Sequence, residues 1–421
     1  MSLPTAIHGN EVKTRLDCWV TAERLRAHAL ILAICLWSVY FWNISAPGLN
    51  DRNGVIKGAD FIHLYTLGTV ALSRRAADLY DVNAQARLTA KRVPIAAGIK
   101  YVPLYPPQAS IFFAPLAYLQ YGTALLIWLI LSSLVYGVCC YALWRCCPQL
   151  QSQGWTLILL AIAFPGFFHL ILWGQTSAIA LACFTAAFLF LRGGRPLLAG
   201  LALGCLVFKP QLGIVAAFVF VYTRGWRVIV GAVLSAAAQL AVPALYYGVD
   251  SLLAWMRVMA NASYRIPLLE PRPYQTHSLR TFWTMLIPGL RAPFVLYLVS
   301  ASLVLGLTIA VWSKRPAAPL ALRYSALLLA TVLVSLHLIV YDIVILAPVF
   351  LLLSDWILSR RTVNASSINN LLYVAYLAPL VGPLARWTHL QISVVIISVL
   401  LYIIWRASRD GFSSQYPKVE A

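Results

Sequence analysis

Charged residues are scarce in this chain. They make up 11% of its 421 residues, whereas hydrophobic residues make up 61%. A water-soluble domain of this length would carry about a quarter of its residues as charged side chains, so the composition excludes an ordinary soluble domain. The sequence therefore predicts an all-α, polytopic membrane protein, with residues 1–421 forming a single membrane domain.

Features of several other protein classes are missing as well. The sequence has no Gly-rich loop of the kind that cradles phosphates and no paired metal-binding carboxylates. We therefore expect no nucleotide-sugar site, no metal and no cofactor. The eight cysteines lie within predicted spans or on their cytoplasmic side, so none predicts an external disulfide. The pairs Cys139-Cys140 and Cys146-Cys147 share a helix face, but without a nearby His or carboxylate they favour apolar packing over a metal site.

Long apolar stretches fill most of the chain. Because about 20 apolar residues cross a bilayer, we count roughly ten to twelve spans on that length criterion. The first apolar run, from Leu30 to Ile44, lacks a small-residue cleavage site. We expect it to be a retained helix and not a signal peptide.

Basic residues predict the orientation. The net charge is +19, and these charges lie mostly at the ends of apolar runs, as in the short cytoplasmic loops of membrane proteins. This distribution favours contact with membrane lipids and no nucleic-acid partner. It places the amino terminus inside and two long loops, residues 47–120 and 248–291, outside. The charges that mark the inner side are Lys13, Arg15, Arg24, Arg26, Arg145, Arg192, Arg195, Arg224, Arg227, Lys314, Arg315, Arg360, Arg361, Arg406 and Arg409.

Polar residues in unusual places gather on the predicted outer side. A charge within the hydrocarbon costs about 2.5 to 3.5 kcal/mol on insertion scales, so several at one depth indicate a shared, water-accessible site. These residues are Asp60, Tyr105, Gln175, Lys209, His337, Tyr341 and Asp342.

The first outer loop predicts surface helices. Apolar residues after Asp60 recur at helical spacing, which indicates an amphipathic helix along the membrane surface, and a second helix is predicted around residues 82–92. Asp60 either caps the first helix or serves as a functional carboxylate. The Pro-rich run from Tyr101 to Pro107 turns the chain toward the next span.

Several motifs, spaced across most of the chain, resemble glycosyltransferase family 87, which includes polyprenyl-phosphate-mannose-dependent mannosyltransferases and an arabinofuranosyltransferase. The later outer loop departs from the family: an Asn-Gln-Ser-Leu-like run is replaced by Thr276-His277-Ser278-Leu279. The matching motifs are Asp60-Phe61, Leu79-Tyr80-Asp81, Tyr105-Pro106-Pro107, Pro115-Leu116, Gly174-Gln175, Lys209-Pro210, His337 and Tyr341-Asp342.

The resemblance implies a C-type membrane glycosyltransferase. Such an enzyme transfers a sugar, here most simply mannose, with inversion from a polyprenyl-phosphate donor to a lipid or glycan acceptor. It implies a bacterial inner (plasma) membrane location with the site facing the periplasm or cell exterior. Asp60 is implied as the general base, with His337, Lys209 and Arg280 binding the donor phosphate. The implied substrate pocket consists of His63, Tyr65, Tyr105, Gln175, Ser278, Tyr341 and Asp342.

Structural alternatives remain for these residues. His337 is also suited to an interhelical hydrogen bond, Lys209 to snorkelling toward the interface, and Gln175 to capping a turn. Asp342 is suited to positioning His337 or pairing with Lys209, and is the second choice for the base.

A lipid-linked saccharide flippase or a secondary transporter is the main alternative function. Transporters commonly contain internal repeats and ionisable groups at the bilayer midplane. This sequence shows no convincing repeat, and its ionisable groups gather at one boundary, which favours an enzyme. A polymerase or ligase of lipid-linked saccharides would share the side and the substrate class.

Overall fold

A computed structural model describes residues 21–261, 270, 272–313, 318–359 and 365–410. Across these ranges the regular structure is helical, and β-pairing is limited to isolated bridges. The all-α prediction is confirmed. Of the predicted inner-side charges, Lys13, Arg15, Lys314, Arg315, Arg360 and Arg361 lie outside the described residues, as does the 262–269 part of the second outer loop.

Nineteen α-helices, joined by short 3-10 turns, form the described part of the chain. Their bounds, in chain order, are α1 Ala22–Ile44, α2 Phe61–Ser73, α3 Val82–Arg92, α4 Gln108–Ala117, α5 Tyr121–Trp144, α6 Gly154–Ala163, α7 Pro165–Trp173, α8 Ser177–Arg192, α9 Pro196–Gly204, α10 Ile214–Tyr222, α11 Trp226–Tyr247, α12 Asp250–Ala260, α13 Leu279–Leu286, α14 Arg291–Ser313, α15 Leu320–Val334, α16 Ala347–Ser359, α17 Ala365–Leu377, α18 Ala385–Thr388 and α19 Ile392–Asp410.

The helices confirm a multi-pass membrane protein. Within the described ranges, seven helical stretches are long and apolar enough to span a membrane, and an eighth results if α6 and α7 count as one bent span. This number is below the predicted ten to twelve because several apolar runs divide into helices of 10–17 residues. The seven are α1, α5, α11, α14, Val340–Ser359, Ser367–Thr388 and α19.

Proline residues produce the main breaks. Pro165 begins α7 after a bend of 44° from α6, and Pro210 begins a short 3-10 helix directly after Lys209. Proline lacks the backbone N–H that a helix interior needs, so it is tolerated at the first turn and ends whatever precedes it. The broken helices leave polar residues at backbone turns within an otherwise apolar bundle.

Helix α15 forms the centre of the core. Its residues from Tyr324 to Val334 are buried, and it packs against α14, α16 and α19. Elsewhere glycine allows close helix packing: a Cβ atom on Gly200 of α9 would clash with the Val228 carbonyl oxygen of α11. Small residues of this kind let membrane helices approach at backbone distance.

The two helices predicted in the first outer loop are present as α2 and α3. Helix α2 begins at Phe61, as the sequence indicates, but nearly all of its side chains are buried. It packs against α4, where Gly68 closely approaches the backbone of Phe113. Helix α2 is therefore part of a small second core and does not lie with one face open to solvent.

Candidate active site

Gln175 connects three of the predicted site residues. Its side-chain nitrogen donates to Asp60 Oδ2 at 2.8 Å and to the Tyr341 hydroxyl at 3.2 Å. Its side-chain oxygen accepts from the Tyr105 hydroxyl at 3.1 Å and from the Thr176 backbone N–H at 3.1 Å. These bonds use both ends of the amide, which fixes its orientation. Gln175 therefore does more than cap a turn: it holds the carboxylate of Asp60.

Lys209 and Asp342 form a buried ion pair beside this amide. The ammonium nitrogen donates to Asp342 Oδ1 at 2.7 Å and to the Ser177 hydroxyl at 3.2 Å, and Ser177 also donates to Asp342. Both charged side chains are less than a tenth exposed. The ammonium also lies 5.2 Å from the centre of the Tyr341 ring. Of the alternatives for Lys209, the structure thus shows the ion pair with Asp342 and not a snorkelling side chain.

Asp60 differs from Asp342 in its electrostatic surroundings. No Lys, Arg or His of the described chain forms a salt bridge with it. Burial raises the pKa of Asp60 above its usual range, against the lowering effects of hydrogen bonds from Gln175 and Tyr341 and of the nearby Lys209 charge. The Asp60 side chain makes no capping hydrogen bond to α2, so the capping alternative does not hold. Asp60 is held in place while remaining available to accept a proton.

Glycine brings the two loops of this network together. Gly174 ends α7 with a φ of +68°, and a Cβ atom there would lie 2.8 Å from Phe61 Cβ. The Trp128 indole donates to the Gly174 carbonyl at 2.9 Å, and the Asp60 N–H donates to the Trp173 carbonyl at 3.1 Å. A left-handed glycine turn therefore places Gln175 directly against the start of α2.

A second polar cluster surrounds Glu270. One of its carboxylate oxygens accepts from the Arg280 guanidinium, and the other lies 2.9 Å from His337 Nδ1. Arg280 Nε also donates to the Leu336 carbonyl at 2.6 Å. Burial alone would raise the pKa of Glu270, but the hydrogen bonds and charges of His337 and Arg280 hold it below its usual range. Two of the three predicted phosphate-binding residues thus share one carboxylate.

One short segment joins the cluster to the network. His337 belongs to the Glu270 cluster, and Tyr341, four residues later, contacts Gln175. A fully extended chain of four residues spans at most about 14 Å, so the two groups are neighbours. The segment is anchored by the His277 N–H, which donates to the Leu338 carbonyl at 3.0 Å. Side chains far apart in the sequence therefore converge around residues 337–342.

Comparison with known proteins decides the family. The model of glycosyltransferase family 87 matches residues 104–339, more than half of the chain. This chain belongs to glycosyltransferase family 87. The match confirms the resemblance, and it covers the segments that carry Tyr105, Gln175, Lys209, Glu270 and His337. Neither the curated proteins nor the solved structures compared with this chain contain a significant match.

Two predicted pocket residues of this glycosyltransferase, Tyr65 and Ser278, stand apart from the network, and a third, His63, lies beside it. The Tyr65 hydroxyl donates to the Leu119 carbonyl at 2.8 Å. Ser278 caps α13 by accepting from the Thr281 N–H. His63 is buried, with its ring centre 5.1 Å from that of Tyr101 and 5.8 Å from that of Tyr105, and its Nε2 has no partner within the described structure. Tyr65 and Ser278 have structural contacts, whereas His63 lies next to the network through Tyr105.

Glu270 is the main residue of the two polar groups that the sequence did not reveal. It stands alone as Leu-Leu-Glu-Pro-Arg in a polar loop, where a carboxylate is unremarkable. The signal that would find it is charge balance: Arg280 and His337, both predicted at one site in an apolar protein, need a buried counter-ion. Ser177, which bonds to both members of the ion pair, was also not predicted.

Proposed function

We propose that this glycosyltransferase moves mannose, with inversion, from a polyprenyl-phosphate donor to a hydroxyl of a lipid or glycan acceptor. The proposal places the site on the periplasmic side of a bacterial inner membrane. One observation carries it: within the described residues Asp60 has no ion-pair partner, whereas Asp342 and Glu270 each pair with a basic side chain. A general base must be free to accept a proton, and Asp60 alone of these three satisfies that condition.

The reaction proceeds in one displacement. The acceptor hydroxyl loses its proton to Asp60 as its oxygen attacks the anomeric carbon from the face opposite the phosphate. The bond between that carbon and the phosphate oxygen breaks, and its electron pair leaves with the polyprenyl phosphate. Gln175 and Tyr341 keep the Asp60 carboxylate oriented during the attack.

The leaving phosphate gains negative charge as its bond to the sugar breaks. Arg280 and His337 are suited to stabilise that charge, because a guanidinium and an imidazole both donate hydrogen bonds to phosphate oxygens. Glu270 holds the two side chains side by side. Lys209 uses two of its three N–H groups on Asp342 and Ser177, so it can offer the third to the donor without breaking the ion pair.

Replacement of Asp60 by Asn tests the base. Membranes that contain Asp60→Asn are supplied with radiolabelled polyprenyl-phosphate-mannose, and transfer to lipid or glycan is measured. We expect a loss of about 10² to 10⁴ in rate with an unchanged amount of protein in the membrane. Asp81→Asn is the matched control, because Asp81 caps α3 through bonds to the Asn83 and Ala84 N–H groups that an amide oxygen can also accept.

Two other results would contradict the assignment. Near-normal transfer by Asp60→Asn together with an inactive Asp342→Asn variant would make Asp342 the base. Wild-type membranes that carry the intact donor to the opposite leaflet, without forming any new glycan, would instead indicate a flippase.

A further inference from the structure

An apolar groove of about 370 Å³ lies between α13 and α19. Leu279, Phe282 and Trp283 of α13 form one wall, and Val395, Val399 and Tyr402 of α19 form the other. The α19 residues follow the spacing i, i+4, i+7, so they share one helix face. Their side chains are between 42% and 49% exposed, and α19 is a candidate membrane span, so the surface they expose would face lipid. The groove therefore opens toward lipid.

The groove begins beside the charged cluster. Arg280 directly follows Leu279 in α13, but its guanidinium bonds to Glu270 and its Nε to the Leu336 carbonyl. The two sides of α13 thus differ. One side carries Arg280, which bonds to Glu270 and to the Leu336 carbonyl, and the other side lines the apolar groove. A ligand with an anionic head and an apolar tail matches this change of surface.

The start of α19 is fixed at the same level as the cluster. The Ser393 hydroxyl lies 2.6 Å from His277 Nδ1, and Gln391 donates to the Thr276 carbonyl at 2.8 Å. Both contacts join α19 to the segment that immediately precedes Arg280. A helix rises 1.5 Å per residue, so the wall from Val395 to Tyr402 descends about 10 Å from the cluster along the span.

We propose that this groove binds the isoprenoid chain of the donor, whose phosphate lies at Arg280 and His337. The inference rests on the proposed function and extends it, because it gives α19 a role in donor binding. Helix α19 lies beyond the family match, which ends at residue 339. The methyl-bearing valines and the aromatic rings suit a branched, unsaturated hydrocarbon chain, and the adjacent cations set the position of its phosphate.

Chain-length dependence tests the proposal. Val399→Trp fills the groove away from the phosphate end, so it should exclude a long chain but leave a single isoprene unit untouched. We expect the KM for the long-chain polyprenyl-phosphate-mannose to rise about tenfold or more. The KM for a dimethylallyl-phosphate-mannose analogue should not change. Val233→Trp, at an exposed position of the span α11, is the matched control. Equal effects of Val399→Trp on both donors, or no effect on either, would overturn the proposal.

A binding measurement separates this inference from the transfer reaction. A photoreactive polyprenyl phosphate without sugar should label peptides of α13 and α19 in the wild-type protein. Unlabelled polyprenyl phosphate should compete with the labelling, whereas a bilayer phospholipid should not. Equal competition by phospholipid would show that the groove holds bulk lipid and would overturn the proposal. Wild-type protein that is labelled in this way but transfers no sugar would contradict the proposed function alone.

Discussion

At the scale of single residues, the network assigns different tasks to chemically identical groups. Asp60 bonds to Gln175, whereas Asp342 bonds to Lys209 and Ser177 beside it. Of these two carboxylates, Asp342 alone has an ion pair within the described residues. Pairing favours the charged form of a carboxylate and weakens it as a base, whereas burial without a cation favours the protonated form. The position of Lys209 therefore distinguishes the two carboxylates, and in the proposed reaction it leaves Asp60 as the base.

The pH dependence of transfer should reveal this environment. Burial raises the pKa of Asp60, and the Tyr341 hydrogen bond is among the interactions that lower it. A base works when deprotonated, so activity falls as the pH drops through that pKa. Tyr341→Phe removes one lowering interaction, and the acidic limb of the rate profile should therefore move to higher pH. Tyr376→Phe is the control, because its hydroxyl bonds to the Leu160 carbonyl and not to the network. An acidic limb that stays in place, or moves to lower pH, would contradict the role of Tyr341.

At the scale of elements, the site lies where helices are interrupted. The start of α2, the turn between α7 and α8, the break at Lys209 and the 3-10 segment Val340–Leu346 each contribute polar side chains. Irregular backbone within a membrane protein needs internal hydrogen-bond partners. The polar residues at these breaks form hydrogen bonds with one another. Interrupted helices thus place polar groups inside the bundle without exposing them to lipid.

Gly174 allows a direct test of one such turn. Gly174 and Gly194 share a φ of +68°, but a Cβ on Gly174 would press against Phe61 whereas one on Gly194 would meet nothing within 4 Å. Both alanine variants bear the cost of a left-handed residue, about 1–2 kcal/mol. Gly174→Ala must in addition push Gln175 away from Asp60. We expect it to lose most of its transfer activity and to melt at a lower temperature than Gly194→Ala, which should stay active. Equal activity of the two variants would show that the close approach at Gly174 does not position Gln175.

The elements also show where the sequence was informative. Proline and polar residues within apolar runs mark the helix breaks at Lys209-Pro210 and near Tyr341-Asp342, because both disturb a membrane helix. The burial of α2 was not predictable from its own residues, since its cover comes from α4, which follows some 40 residues later. The predicted number of membrane spans was too high because the sequence of an apolar run does not show whether it forms one long helix or two short ones.

At the scale of the whole molecule, the sequence predicted that several polar residues lie close together but not how they pair, and Tyr65 and Ser278 have structural contacts elsewhere. Hydropathy and loop charge predicted that Asp60, Gln175, Lys209 and Asp342 cluster, and they placed this cluster on the expected outer side. The pairs themselves depend on side-chain reach across helices, to which local spacing gives no guide. The role of Glu270 could not be predicted because Arg280 and His337 come close to it only in the folded protein.

The orientation of the whole protein decides which side of the membrane the proposed active site faces. Asn53 and Asp60 lie in the same connection between α1 and α2, and Arg227 lies in the first turn of α11, next to a predicted inner loop. Short loops with Arg resist translocation, so the Arg224 and Arg227 region should remain in the cytoplasm and Asn53 should reach the periplasm. In a cysteine-free variant, a membrane-impermeant maleimide should modify Asn53→Cys in intact spheroplasts but Arg227→Cys only after permeabilisation. Both positions are exposed in the folded protein, so accessibility reports the side of the membrane. The reverse pattern would place Asp60 on the cytoplasmic face, where a periplasmic transfer reaction has no access to it.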